Sequence, residues 1–278
     1  MIIFIMVVCG HVLVKNGNCY NFQKKPNEWH TLWDGWGLNM LEPVISKSKE
    51  NPEKSYVILK TDILLKEDVT PEMESDDENV VFLIPCVGTA WPKRVKLFYS
   101  PLEMNFVPST LAPHRGEKIP KLIWRGAANN SLEWLGSGGP RGLLIKLLKD
   151  DSRCDLAYTR KGGVPTPECV PSMPQNEQQK YLGIFCIDGG GFATSLGWVL
   201  GSGSVPIVYS QYKMAFQMEL EPWVHYVPIA ENFSDLYRNI DWIFKNPEKC
   251  EEIVDNAIDF FKKRLNPEYV RLKTYEQL

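Results

Sequence analysis

Residues 181–209 read YLGIFCIDGGGFATSLGWVLGSGSVPIVY. An apolar run from Tyr181 to Ile187 meets Asp188 and then three glycines, Gly189 to Gly191. Phe192 to Leu200 suits a helix, and Val205 to Tyr209 is a second apolar run. Short runs that are apolar throughout, rather than alternating, suit strands buried on both faces. Strand, helix and strand in succession make one crossover unit of a parallel sheet.

The same alternation continues in both directions. Upstream, Leu122-Ile123-Trp124 reads as a strand ending in Arg125-Gly126. Gly138-Gly139-Pro140 opens a helix, with Pro140 at its first position. Leu143, Leu144, Leu147 and Leu148 supply its apolar face. Asp155 to Tyr158 is the next strand. Downstream, Trp223 to Ile229 contains a further short strand. Ser234 can cap a helix carrying Leu236, Ile240, Ile243 and Phe244. Asn246 and Pro247 can open another, with Ile253, Ala257, Ile258 and Phe261 as its stripe. The fold class expected is α/β, a parallel sheet covered by helices on both faces. Ligands of such sheets bind beyond the carboxyl ends of the strands.

The first 120 residues are less regular. The nearly all-apolar start, Met1 to Val14, is too short to span a bilayer and has no basic leader or small-residue cleavage site. It reads as a buried first strand, with a weak signal segment as the alternative. Trp29, Trp33 and Trp36 lie in a polar stretch, either lining a ligand site or filling a core. Ser46 to Lys54 reads as a loop, Tyr56 to Leu59 as a strand before Lys60-Thr61-Asp62, and Val80 to Ile84 as another strand. The acidic run Glu67 to Glu78 holds no Lys or Arg and reads as a solvated loop.

Composition narrows the functional classes. The chain has 278 residues, with 31 Lys+Arg against 34 Asp+Glu and a net charge of −3. That disfavours an extended polyanion such as nucleic acid as partner. Its seven cysteines are scattered without a C-x-x-C pair. Free thiols in a reducing compartment, and hence a soluble cytoplasmic protein, are the plainest reading. A secretory lumen is the lesser alternative.

Four constellations carry possible chemistry. Arg141 falls in the first turn of its helix, where the helix dipole opposes a cation. Either an anion sits between it and the backbone N–H groups, or it is an exposed arginine tolerating a small cost. The Asp188-Gly-Gly-Gly191 turn lets a backbone approach a ligand closely, or it is a connection without one. Its spacing matches neither dinucleotide nor P-loop fingerprints. His225 lies in the aromatic segment Leu220 to Pro228, as a ligand contact or a hydrogen-bonded core residue. Asp62 follows a strand end, as a base or a turn residue. No D-x-D clamp for a diphosphate-bound metal occurs, and the four histidines form no metal pattern. Ala193 to Gly197 only faintly resembles a nucleophile elbow and lacks the order of triad partners.

Taken together, Leu122-Ile-Trp-Arg-Gly-Ala127, Arg141, Lys180-Tyr-Leu182, Ile187-Asp-Gly189, Gly201-Ser-Gly-Ser-Val205 and Leu220-Glu-Pro-Trp-Val-His-Tyr-Val-Pro228 resemble glycosyltransferase family 90. That family comprises capsule-associated xylosyltransferases and protein O-glucosyltransferases. The resemblance continues through Asp235-Leu236, Trp242 and Asn246. It covers about residues 120 to 265 well and the first 120 loosely. It implies a GT-B fold, two Rossmann-like domains facing a cleft. The implied boundaries are 1–118 for the acceptor side, 119–250 for nucleotide-sugar binding, and 251–278 for a helix packing back on the first domain. The implied reaction is inverting and metal-independent. The preferred donor is UDP-xylose and the acceptor a glycan hydroxyl, with protein O-glucosylation from UDP-glucose as the alternative. A non-catalytic carbohydrate-binding protein is the rival class. No cofactor or membrane span is implied.

The resemblance also implies site residues. Asp62 becomes the catalytic base, because Ile58-Leu59-Lys60-Thr61-Asp62 fits the family's strand-then-Asp pattern. Donor binding falls to Arg125, Gly126, Ala127, Arg141, Tyr158, Asp188, Gly189, Gly190, Gly191, Phe192, Ser195 and His225. Within that set, Arg125 and Arg141 neutralise the leaving diphosphate. Two positions depart from the family. Ala127 stands where a serine often follows Arg-Gly, and Ser195 where an arginine is expected, so phosphate charge rests more heavily on Arg125 and Arg141. The chain is short for the family and shows no membrane anchor, which suggests a stripped-down, virus-encoded type of member.

Overall fold

The computed structural model describes residues 11–22, 38–59, 69, 71–84, 86–87, 92, 94–97, 99, 112–128, 139–161, 169–189 and 191–278. In chain order the strands are β1 (His11–Lys15), β2 (Asn18–Phe22), β3 (Ser55–Leu59), β4 (Val80–Ile84), β5 (Cys86–Val87), β6 (Val95–Leu97), β7 (Ile119–Ala128), β8 (Cys154–Lys161), β9 (Tyr181–Ile187), β10 (Val205–Tyr209), β11 (Lys213–Met214) and β12 (Val227–Pro228). The α-helices are α1 (Leu38–Glu50), α2 (Pro71–Glu74), α3 (Gly139–Leu148), α4 (Gln175–Gln178), α5 (Leu196–Leu200), α6 (Leu236–Lys245), α7 (Pro247–Arg264) and α8 (Pro267–Gln277).

The chain divides into two compact units. One comprises Met1–Met104, Tyr212–Met218 and Asn266–Leu278; the other comprises Asn105–Gln211 and Glu219–Leu265. The C-terminal stretch is therefore two helices, α7 in the second unit and α8 in the first.

In the first unit the sheet order is β2-β1-β3-β4-β6. β1 is antiparallel to both its neighbours, while β3, β4 and β6 run parallel. The β1–β2 hairpin turns on Asn16 (φ 48°) and Gly17 (φ 75°). Both residues sit at positive φ, which suits a tight hairpin turn and which Asn-Gly accepts at least cost. The Gly17 N–H donates to Ser48 Oγ at 2.9 Å, tying the turn to α1. Residues 46–50, expected as loop, are thus helical. Leu41, Val44 and Ser48 recur at helical spacing and are buried. That stripe prevails over Pro43 inside the helix, which masks the pattern in the sequence. Within the acidic run, α2 inserts a fully buried Met73.

In the second unit the sheet order is β8-β7-β9-β10-β12, with every pairing parallel. Every β10 residue is buried, as are Gly183 to Ile187 of β9. Leu122, Trp124, Phe185, Ile187, Val205 and Ile207 share one core with Leu144 and Leu148 of α3. Each such side chain contributes about 1.5–3 kcal/mol by leaving water. Leu143, expected on the apolar face of α3, is instead 36% exposed.

Helix starts also differ from expectation. α6 begins after Asp235 rather than Ser234, and the Asp235 carboxylate accepts from Ala230 N at 2.9 Å. Asn246 precedes α7 without capping it; its amide donates back to Trp242 O at 2.8 Å and closes α6 instead. Side-chain amides can satisfy either helix, and here the last carbonyls of α6 win.

Candidate functional site

Numbered by their order along the chain, the five strands of the second sheet lie in the order 2-1-3-4-5. In that arrangement the connections reverse direction between the first and third strands, here β7 and β9. The open crevice lies beyond their carboxyl ends, where ligands of such sheets bind. Arg141, near the start of α3, reaches this point. Its Nε donates to Ile187 O at the end of β9 (3.1 Å) and its Nη1 to Ala127 O at the end of β7 (2.9 Å). The guanidinium lies 5.8 Å from the centroid of the Trp124 ring. Tyr158 meets that ring edge-on, at 5.7 Å and 83°. Gly126 is required here: a Cβ on it would lie 2.4 Å from the Trp124 ring. Of the family-implied positions, Ala127 and Gly189 border the Arg141 guanidinium, and Gly126 and Tyr158 border the Trp124 ring beside it.

The glycine turn is braced from inside. Asp188 is 1% exposed. Its Oδ1 accepts from Ala193 N at 2.8 Å, and its Oδ2 from Ser210 Oγ at 3.0 Å and Gln211 N at 2.7 Å. The carboxylate thus holds the turn to the end of β10. Gly189 N donates to Gly191 O at 2.9 Å, while Gly190 lies outside the described residues. Phe192 and Ala193 are buried, and the helix starts only at Leu196. The expected helix from Phe192 is corrected to five residues. So short a helix aligns few peptide dipoles and offers a phosphate little at its amino end. Burial pushes the pKa of the Cys186 thiol, at the end of β9, up to about 12; Ser195 stands directly before the helix.

Arg125 occupies a different place from Arg141. Strand alternation puts it on the face opposite Trp124. Its side chain turns back along β8 and is only 9% exposed. Nη1 donates to Trp124 O (3.0 Å) and Asp155 O (2.8 Å), and Nη2 to Asp155 Oδ1 (2.7 Å). Tyr181 donates to the other carboxylate oxygen at 3.1 Å. Asp155 pairs in register with Ile123, so this ion pair points away from the carboxyl ends. The sequence marks Asp155 only as a strand residue. A carboxylate directly ahead of the apolar Leu156-Ala157 pair, at the start of a strand, is the signal that could find it.

The Leu220–Pro228 segment is mostly a tight turn, and only Val227–Pro228 is strand. Trp223 sits at φ 64° and is 42% exposed, with its ring edge-on to Trp242 at 4.9 Å. His225 Nδ1 accepts from Glu221 N at 3.0 Å, and its ring packs edge-on against Phe260. Burial lowers the imidazole pKa, so the ring is neutral near pH 7. Val227 pairs with Ile207 in the middle of β10, so the turn precedes the strand at its amino side. His225 therefore stands apart from Arg141. Asp62 and the Trp29, Trp33, Trp36 trio lie outside the described residues.

Among the described residues, no cluster of three or more His, Cys, Asp or Glu is placed to hold a metal ion. No described helix is long and apolar enough to cross a membrane.

The profile of "Glycosyl transferase family 90" matches residues 116–276, more than half of the chain. The chain belongs to family 90. The match takes in the second unit's sheet and the Arg141 surroundings. Among curated relatives, O-glucosyltransferase LpsA of Dichelobacter nodosus is 27% identical over 56% of this chain and 47% of its own length. Protein O-glucosyltransferase 2 of Danio rerio is 36% identical over 59% of this chain and 33% of its own. Uncharacterized protein 179R of Invertebrate iridescent virus 6 is 36% identical over 37% of this chain and 9% of its own. The chain thus spans less than half the length of these curated relatives. Among solved structures, a crystal structure of TarM covers 85% of this chain and 45% of its own, at 14% identity and a TM-score of 0.49.

Proposed function

We propose that this family 90 chain transfers a sugar from a UDP-sugar to an acceptor hydroxyl, with the donor diphosphate held at the β7–β9 switch point. The observation carrying this reading is Arg141, a guanidinium fixed on the carboxyl-end carbonyls of both strands. The planar fork of an arginine suits a diphosphate, and fixed charge at a leaving group is often the largest catalytic term. Arg125, bonded to Asp155, is not assigned to the phosphates here. Asp188 and the glycine turn shape the wall of the site.

The reaction proposed is a single displacement. Asp62 takes the proton of the acceptor hydroxyl as its oxygen attacks the anomeric carbon. The bond from that carbon to the diphosphate oxygen breaks, and the configuration inverts. The two units would form a GT-B arrangement, the first on the acceptor side and the second on the donor side. The names of two relatives favour glucose as the first donor to test, with xylose beside it. A metal-independent reaction rests on the absent D-x-D sequence and on the family resemblance.

The deciding experiment follows UDP release from UDP-glucose and UDP-xylose, with and without glycan acceptors, in EDTA. Release with at least one donor, undiminished by the chelator, is expected. Glycan binding without any release would favour the carbohydrate-binding rival, and chelator sensitivity would overturn metal independence. Arg141→Ala should weaken UDP binding by about 1.5–3 kcal/mol, the loss of a charge-assisted hydrogen bond. Titration calorimetry measures it, and equal affinities would remove Arg141 from the site.

A further inference from the structure

We infer that Gly189 is a positioning residue for Arg141, its missing side chain being the space in which the guanidinium lies. A Cβ at Gly189 would fall 2.6 Å from Arg141 Cζ, 2.8 Å from Nη1 and 2.9 Å from Nε. No carbon approaches that closely without something moving. The backbone itself does not demand glycine here, because Gly189 is not among the positive-φ glycines. Leaving out the adjoining residues, the three nearest described atoms to that vacant position are these three of the Arg141 head group.

The guanidinium has a fixed aromatic neighbour as well. The Trp124 ring lies 5.8 Å from Cζ, 4% exposed and held edge-on by Tyr158. Two carbonyls from different strands then fix the plane of the fork. A methyl group at residue 189 would push the head group off this seat. Because the obstacle is the end of a flexible side chain, the cost falls on the placement of Arg141 rather than on the fold. A charged group held within a fraction of an ångström of its working position binds and stabilises better than one that must be ordered. This inference rests on the diphosphate reading above, and its test separates the two.

The test is a double-mutant cycle in UDP affinity across Arg141→Ala, Gly189→Ala and the double variant. Gly189→Ala should weaken UDP binding about tenfold on its own and cost nothing further in the Arg141→Ala background. Effects that multiply would show that Gly189 makes room for the ligand instead, and an unchanged affinity in Gly189→Ala would equally overturn the inference. A second readout needs no ligand: the Arg141 Nε–H resonance by NMR, assigned with Arg141→Ala. In Gly189→Ala it should shift and lose its protection from solvent exchange as its bond to Ile187 O is lost. An unmoved resonance overturns the positioning role. If Gly189→Ala melts lower, the double variant should recover the loss, since the clash goes with the arginine; no recovery also overturns it. If Arg141→Ala leaves UDP affinity unchanged, the diphosphate reading fails, and the Nε–H resonance alone decides the role of Gly189.

Discussion

Asp155→Ala is expected to destabilise the second unit by about 3 kcal/mol. Arg125 carries a full charge on a side chain only 9% exposed, and Asp155, at 33%, is its counter-charge. Removing one partner of a buried pair costs about 3–5 kcal/mol, because the other charge remains desolvated. The low end applies here. Asp155 is partly solvated, and the Trp124 and Asp155 carbonyls stay as acceptors for Nη1. Tyr181 also loses its acceptor. For a unit of this size the change corresponds to a fall of about 6–12 °C in melting temperature. Asp155→Asn should recover part of it by retaining an acceptor oxygen. Denaturant titration gives the value, and a loss below about 0.5 kcal/mol, the level of an exposed pair, would return Arg125 to the list of candidate phosphate ligands.

Asp62→Asn is expected to lower kcat by about 10²–10⁴-fold, the usual contribution of a positioned general base. The amide is nearly isosteric with the carboxylate but cannot take the acceptor proton. UDP affinity should therefore stay close to wild type, since in the proposed displacement the base acts on the acceptor proton and not on the diphosphate. This split between turnover and nucleotide binding distinguishes Asp62 from Arg141, whose replacement acts on UDP itself. Rapid-quench or steady-state UDP release provides kcat, and calorimetry provides the affinity. An unchanged kcat would move the base to another residue.

The second unit was largely legible because its central strands, β9 and β10, are buried on both faces. Val205 to Tyr209 and Tyr181 to Ile187 are apolar without interruption, and both are strands. The Gly-Pro start of α3 was readable for a similarly local reason, since Pro140 fits only the first turn. The α5 start was not. Phe192 and Ala193 have helical composition, but the hydrogen bond that Ala193 N donates to Asp188 Oδ1 holds it in the turn. In the first unit, α1 was hidden by Pro43 and by a stripe that mixes Ser48 with apolar residues.

The site divides in the same way. The sequence by itself determined the family, through motif residues whose order and spacing survive without any contact being known. It also determined an alternation of strands and helices that belongs to a parallel sheet, because apolar periodicity is a local property of the chain. Which arginine reaches the carboxyl ends of the strands emerges only in three dimensions. Arg125 and Arg141 are equally charged and equally close to glycines in the sequence. Strand alternation and register carry Arg125 back to Asp155, whereas the crossover from β7 into α3 brings Arg141 onto the ends of two strands. Pairings of that kind join residues far apart in the chain, and no local pattern encodes them.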